Sequence, residues 1–189
     1  MNTLLLIGGG GHCRSCIDVI EAEGQYKIAG IVNTSGGSRE QILGYDVLGN
    51  DEDLPKLLKK HPNALITVGQ IKSADLRVKL FQQVKRLGFE LPTIISPRTY
   101  VSKNASLVIG TIVIHDTLVN TGAKIGNNCI LNTKSMVVQN VIFEDHCRIS
   151  TSSLVKGETV IREKTFIGSN TITIEYMTVG KKFIYWRWT

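Results

Sequence analysis

From Val101 onward an apolar side chain recurs every sixth residue. The series is Val101, Leu107, Val113, Val119, Ile125, Leu131, Val137, Phe143, Ile149, Val155, Ile161, Ile167, Thr173 and Val179, and Thr173 alone breaks the rule. Two residues before each member, from Leu107 to Thr173, stands a mostly small side chain: Ala105, Thr111, Thr117, Ala123, Cys129, Ser135, Val141, Cys147, Ser153, Thr159, Thr165 and Thr171. A period of six is neither the 3.6 of a helix nor the 2 of a simple strand. It predicts a parallel β-helix of hexapeptide repeats, in which short strands alternate with tight corners. Three hexads make one turn, so residues eighteen apart stack at the strand spacing of about 4.8 Å. Val101, Val119, Val137, Val155 and Thr173 then share one wall. Leu107, Ile125, Phe143 and Ile161 share a second, and Val113, Leu131, Ile149 and Ile167 the third. A β-sandwich would show loops of varied length, and this register never slips.

The first part of the chain follows a different rhythm. Apolar runs at 3–7, 26–32, 64–68 and 91–95 predict strands. Between them, helical patterning covers 14–23, 51–60 (with Glu52 and Asp53 in a first turn that favours acidic residues) and a stretch to Leu87 capped by Ser73. Alternating strands and helices predict a small parallel sheet. Ser96-Pro97 marks the join, since a proline disfavours helix before it. Two domains are expected, an α/β unit over 1–96 and a coil over 97–189.

Several outward positions of the coil are also apolar: Ile112, Ile114, Leu118, Ile130, Met136, Val138, Ile142, Leu154 and Ile172. So much apolar surface predicts a buried interface between copies of the chain.

Composition narrows the chemistry. The chain has 189 residues and a formal charge of +6. Its basic residues are dispersed and not interleaved with aromatics, so a nucleic-acid surface is unsupported. A mild positive field suits an anionic small ligand such as a nucleotide sugar or coenzyme A. No apolar run approaches a membrane span and no signal peptide is read at the start, so a cytoplasmic location is expected. Cys13 and Cys16 form a C-x-x-C at a helix start, with no second pair for zinc, and are read as ordinary thiols. Cys129 and Cys147, eighteen apart, should stack inside the coil as packed thiols. His146, beside Asp145 at an outward corner, is expected to be solvated. No metal is called for.

Gly8-Gly9-Gly10-Gly11-His12 follows the first strand. Glycines there let a backbone approach a phosphate at a helix N-terminus. The dinucleotide fingerprint G-x-G-x-x-G is incomplete, because Cys13 takes its third glycine and Asn33 stands where a ribose-binding acid is expected. An NAD oxidoreductase is therefore disfavoured. Gly10, Gly11, His12, Asn33, Thr34 and Gly69 should open onto the strand-end edge where such sheets bind ligands, and are the candidate substrate-binding residues.

A glycine-loop α/β domain followed by a hexapeptide coil resembles the NeuD/PglD-like sugar acyltransferases. The resemblance spans nearly the whole chain and is anchored by the Gly8-to-His12 loop, Val119-Asn120-Thr121-Gly122-Ala123 and Asn132-Thr133. It implies a left-handed coil, a homotrimer, a nucleotide-linked amino sugar or sialic acid as acceptor, and acetyl-CoA as donor in a groove between adjacent coils. It also implies donor contacts at Arg148, Gly168 and Ser169.

The resemblance breaks at the chemistry. The family pattern reads N-T-x-x-x-V-E-H-D, where this chain reads Asn132-Thr133-Lys134-Ser135-Met136-Val137-Val138-Gln139-Asn140. Gln139 takes the histidine position and Asn140 the acidic one; a second family histidine falls on Arg148, which is suited to a phosphate of coenzyme A. A glutamine amide accepts no proton near neutral pH. His115, next to Asp116, is the candidate substitute base, on a different face from Gln139. The closing segment from Phe183 to Thr189 reads as a hydrophobic cap on the last coil or a shortened donor site. Two readings remain: an acetyl-CoA-dependent acyltransferase with altered chemistry, and a catalytically silent nucleotide-sugar-binding trimer.

Overall fold

The computed structural model describes residues 2–34 and 41–186. The chain divides into two compact units, one running to Gly69 and joined by Asp75–Pro92, the other made of Gln70–Ala74 and the chain from Thr93 onward. Among the described residues no helix is long and apolar enough to cross a membrane.

The first unit runs β1 (Asn2–Ile7), α1 (Gly11–Glu23), β2 (Tyr26–Val32), β3 (Gln41–Ile42), β4 (Tyr45–Gly49), α2 (Leu54–Leu58), β5 (Asn63–Ile66) and α3 (Asp75–Leu87). Its sheet order is β3-β4-β2-β1-β5, parallel except where β3 meets β4. Leu5, Ile7, Val32, Ile66, Leu80, Phe81 and Val84 share its core. Gly24 ends α1 in the left-handed region at φ 71°, its N–H donating to the Ile20 carbonyl. A short 3-10 turn, Asp51–Asp53, precedes α2, and Asn50 and Asp53 cap it reciprocally. Arg77 on α3 is buried, and its Nη1 donates to the carbonyls of Ile66 and Val68 at 2.6 and 2.9 Å. That satisfies the acceptors where β5 ends.

Two expectations for this unit change. The β3–β4 hairpin is absent from the sequence reading; its turn places Leu43 and Gly44 at φ 49° and 83°. The strand expected over 91–95 does not join this sheet. Leu91 packs in the α/β core, and Ile94–Ile95 pairs with Ile112–Val113 as the first strand of the coil.

The coil is a left-handed parallel β-helix with three walls. Each wall keeps the eighteen-residue register, as in Val101–Val119–Val137–Val155. Val113, Leu131, Phe143, Ile149 and Ile167 fill its core. Thr173 keeps its inward place, fully buried, though only Leu154↔Ile172 bridges there. Every sixth residue from Gly110 to Lys182 lies at positive φ, so the corners share one conformation.

The small residues do more than save space. Thr111 donates its hydroxyl to the Gly126 carbonyl, Thr117 to Asn132, Thr159 to Ile174 and Thr165 to Gly180, each fifteen residues on. Cys129 and Cys147 occupy the same rungs, their thiols reaching the carbonyls of Glu144 and Arg162 at 3.4 and 3.0 Å. All four cysteines are buried thiols outside any disulfide. Burial pushes the Cys13 and Cys147 thiols up from their ordinary value, away from the thiolate that redox chemistry needs.

Two further expectations are corrected. Ile112, Ile114 and Ile130 are buried within the single chain and cannot belong to an exposed apolar face. The apolar stripe that remains runs up one wall through Tyr100, Leu118, Met136, Leu154 and Ile172. His146 is buried, not solvated, because its corner turns the ring onto Asn128, whose Nδ2 lies 3.0 Å from His146 Nδ1. In the closing segment, Phe183 and Tyr185 lie 6.3 Å apart, and residues 187–189 lie outside the described residues.

Candidate functional site

In the α/β unit the parallel strands β1, β2 and β5 end on one edge, which brings Gly8 to His12, Asn33, Thr34 and Gly69 to that edge. The glycines there do different work. Gly8 sits at φ 110° and a Cβ on it would run into Val68. A Cβ on Gly9 would lie 2.6 Å from Ile42 Cδ1 and 3.0 Å from Asn33 Nδ2. Gly10 and Gly11 need no special φ, and among the described residues nothing lies within 4 Å of where their Cβ atoms would stand. Gly10 is the N-cap of α1 and supplies no side-chain cap. The fold therefore does not require glycine at 10 or 11, and what glycine leaves there is open room before the first N–H groups of a thirteen-residue helix. Such a terminus favours an anion.

In the coil, Gln139 and Asn140 sit on the corner between the strands Met136–Val137 and Ile142–Phe143. Both side chains are exposed. Gln139 leans over the next coil, where a Cβ on Gly157 would lie 2.5 Å from its Nε2. Asn140 spans its neighbours on both sides. Its Oδ1 covers Gly122, where no Cβ fits, and its Nδ2 donates to Glu158 Oε1 at 2.6 Å. Glu158 was not among the residues singled out from sequence, yet it stands eighteen after Asn140, so the repeat itself carried the signal. The Asn-Thr pairs build corners: Asn120 and Asn132 each accept the next residue's N–H through Oδ1, at 2.7 and 3.0 Å.

His115 lies on a different corner, between Ile112–Val113 and Leu118–Val119. Its Nδ1 is 2.6 Å from the hydroxyl of buried Ser96. The neighbouring carboxylate of Asp116 is engaged by Arg98 at 2.9 and 3.2 Å. Gly168 and Ser169 stand in the same column as His115, three coils on. Ser169 Oγ meets Ser150 Oγ at 2.9 Å, and the Trp186 ring lies over Gly168. Arg148 Nη1 donates to the Gln70 carbonyl at 2.8 Å, and its guanidinium sits 5.6 Å from the Phe166 ring centre. An open groove of about 300 Å³ is lined by Asn170, Thr171, Ile172, Tyr185 and Trp186. Among the described residues no group of three or more His, Cys, Asp or Glu side chains is placed to hold a metal.

An open α/β unit with a glycine loop at its strand ends thus stands on one chain with a hexapeptide-repeat coil. The family described as PglD N-terminal domain matches residues 3–84. The structure is similar to the acetyltransferase domain of PglB from Neisseria gonorrhoeae FA1090 in complex with acetyl coenzyme A: 26% identity, TM-score 0.88, over 97% of this chain and 88% of that one. It is similar also to GDP-perosamine N-acetyltransferase from Caulobacter crescentus, solved as a histidine-to-alanine variant with CoA and GDP-perosamine: 26% identity, TM-score 0.80, over 98% of this chain and 91% of that one. WeeI from Acinetobacter baumannii AYE shares the fold at 16% identity, TM-score 0.72, over 95% of each chain. No curated protein matches the sequence. The first unit thus matches the PglD N-terminal domain family, and the chain as a whole is similar to acetyltransferases of known structure.

Proposed function

We propose that this chain is an acetyl-CoA-dependent acyltransferase of a nucleotide-linked amino sugar or a related surface-glycan sugar, acting as a cytoplasmic homotrimer. The observation that carries the acceptor half is the pair Gly10 and Gly11, glycines that the fold itself does not need. A phosphate of the nucleotide would take the room they leave, with His12, Asn33, Thr34 and Gly69 around the same edge. This makes the α/β domain, 1–96, the nucleotide-sugar unit and the coil, 97–189, the acyl-transfer unit. Acetyl coenzyme A in one structural neighbour and GDP-perosamine with CoA in another support both ligand classes.

The stacked apolar stripe of exposed Tyr100, Met136 and Ile172 with half-buried Leu118 and Leu154 supports the trimer, since apolar surface of this kind marks an interface. It lies on the wall between the corner of Gln139 and Asn140 and the corner of His115, Gly168 and Ser169. Packing copies against that wall would bring the first corner of one copy near the second corner of its partner. Arg148, Gly168 and Ser169 would then face the donor, and His115 would approach Gln139 only across the interface.

One observation favours a second reading, a silent nucleotide-sugar-binding trimer: Gln139 and Asn140 are both amides, and neither takes a proton near neutral pH. A thiol-release assay separates the two. Acetyl-CoA is offered with GDP-perosamine and a panel of other amino-sugar nucleotides, to the native chain and to a Gln139→His, Asn140→Asp variant. Turnover by the native chain, or a gain of tenfold or more in the variant (about 1.4 kcal/mol of barrier), supports the transferase. Ligand binding with no turnover in either form supports the silent reading.

A further inference from the structure

The corner carboxylates of the coil are mostly neutralised. Asp116 meets Arg98, Glu144 meets Arg162, Glu163 meets Lys181, and Glu175 meets Lys156. Asp145 meets no cation among the described residues, but both its oxygens are occupied by Asn127. Glu158 differs from all of these. Its Oε1 is held by Asn140 Nδ2 at 2.6 Å, and among the described residues neither a cation nor a second donor reaches Oε2. It is exposed, and it sits on the same corner as Gln139, whose amide covers the adjacent Gly157.

Asn140 and Glu158 are matched to each other. An aspartate at 140 would set two carboxylates within hydrogen-bond distance and repel Glu158. An asparagine there does the reverse: it donates to one oxygen, fixes the carboxylate and leaves the other oxygen's lone pairs available. Gly157 fits the same unit, because a side chain there would displace Gln139. The resemblance implies an acid at 140; in this chain the carboxylate of the corner stands one coil along, at 158.

We infer that Glu158 is the proton acceptor for acyl transfer at this corner, with Asn140 as its positioning residue. This inference rests on the acyltransferase reading above. The neutral amine nitrogen of the acceptor attacks the thioester carbonyl carbon, a C–N bond forms, and the carbonyl π pair moves onto oxygen. The nitrogen's proton passes to Glu158 Oε2. The carbonyl then re-forms, the C–S bond breaks, and the departing sulfur takes that proton from Glu158. An amide and a free thiol result, and the carboxylate is restored. An amine needs only a weak base of this kind, where a hydroxyl would need a stronger one.

The test compares the native full-length chain with Glu158→Gln, using acetyl-CoA and the same acceptor panel, GDP-perosamine included. A general base contributes roughly 100-fold or more, so Glu158→Gln is expected to lower kcat by at least that factor. KM for both substrates should stay within about threefold, and thermal midpoints should match, since the group is exposed and the change isosteric. Both forms share the acid limb set by the acceptor's ammonium group, since only the neutral amine attacks, so kcat is compared on the plateau above it. In a Gln139→His, Asn140→Asp variant a limb should appear in the histidine range, near 6.5. A kcat for Glu158→Gln within threefold of native overturns the inference, as does a lower kcat accompanied by a lowered thermal midpoint or a KM raised by the same factor. A native chain that binds acetyl-CoA and a sugar nucleotide by calorimetry but turns over no acceptor overturns the inference and leaves the binding reading standing. A chain that binds neither ligand overturns the acyltransferase reading itself.

Discussion

The hydroxyl of Ser96 lies 2.6 Å from Nδ1 of His115, and the same oxygen accepts the N–H of Arg98 at 3.1 Å. A hydroxyl oxygen has two acceptor sites and one proton, so either group can donate in the Ser96–His115 contact. The arrangement in which the serine donates sets the proton of a neutral ring on Nε2. The expected result in long-range nitrogen–proton NMR is a single Nε2–H tautomer for His115 that becomes mixed in Ser96→Ala. A dominant Nδ1–H form in the native chain would contradict this arrangement.

Rungs inside the coil set its stability. Thr111 Oγ1 donates to the Gly126 carbonyl at 2.9 Å and accepts the Cys129 N–H at 3.0 Å, and Thr111 and Cys129 are both fully buried. Thr111→Val keeps the shape and removes both bonds, stranding a buried N–H. The expected cost is about 2–3 kcal/mol in denaturant unfolding. Cys147→Ser retains a donor of similar size for the Arg162 carbonyl and should cost no more than about 1 kcal/mol. Equal losses for the two variants would show that the rungs matter only as filler.

Glu144 gives a pH signature. The hydrogen bond from Arg162, at 2.5 Å, holds its carboxyl below the ordinary value, aided by the Glu163 N–H and opposed by partial desolvation. A carboxyl depressed in the folded state contributes stability that is present above its unfolded value, about 4.3, and is lost as pH falls through the folded one. Glu144→Gln should therefore destabilise the chain near pH 7, and the difference should close in acid. Arg162 is about half exposed, so the full effect stays below about 1 kcal/mol. A difference between the two chains that grows on acidification would reverse the assignment.

How much of this was legible in the sequence follows from what each feature depends on. The coil was, because inward side chains at a fixed spacing state its geometry directly: Val119 and Val137 pair as the period requires. The strand ends of the α/β unit were also legible, since Gly8 to His12 and Asn33 follow apolar runs. The β3–β4 hairpin was hidden because Leu43-Gly44 lacks the Asn-Gly signal of a tight turn. Burial of Ile112 and Ile130 was hidden because alternation tells which way a side chain points, not what covers it. His146 was misjudged because the left-handed corner, φ 61°, redirects a ring that strand alternation would send to solvent. Glu158 was readable from the eighteen-residue step, but only its contact with Asn140 made it matter.

The four loop glycines separate folding from binding. Gly8 is required by its φ of 110° and by Val68, so Gly8→Ala should destabilise the α/β unit by more than about 1 kcal/mol. Gly10 and Gly11 carry no such constraint among the described residues, with ordinary φ and open space around the missing Cβ. Gly11 is the first residue of α1, where alanine is the better helix former by up to about 1 kcal/mol. Gly11→Ala should therefore leave the thermal midpoint unchanged or raise it. If a phosphate of the acceptor uses the room before α1, the added methyl group will crowd it all the same. The expected outcome is a loss of tenfold or more in affinity for an amino-sugar nucleotide such as GDP-perosamine, measured by calorimetry, with acetyl-CoA affinity unchanged. Equal nucleotide affinity in Gly11→Ala and Gly10→Ala would mean that the open room is unused, and the acceptor would have to be sought at another edge of the chain.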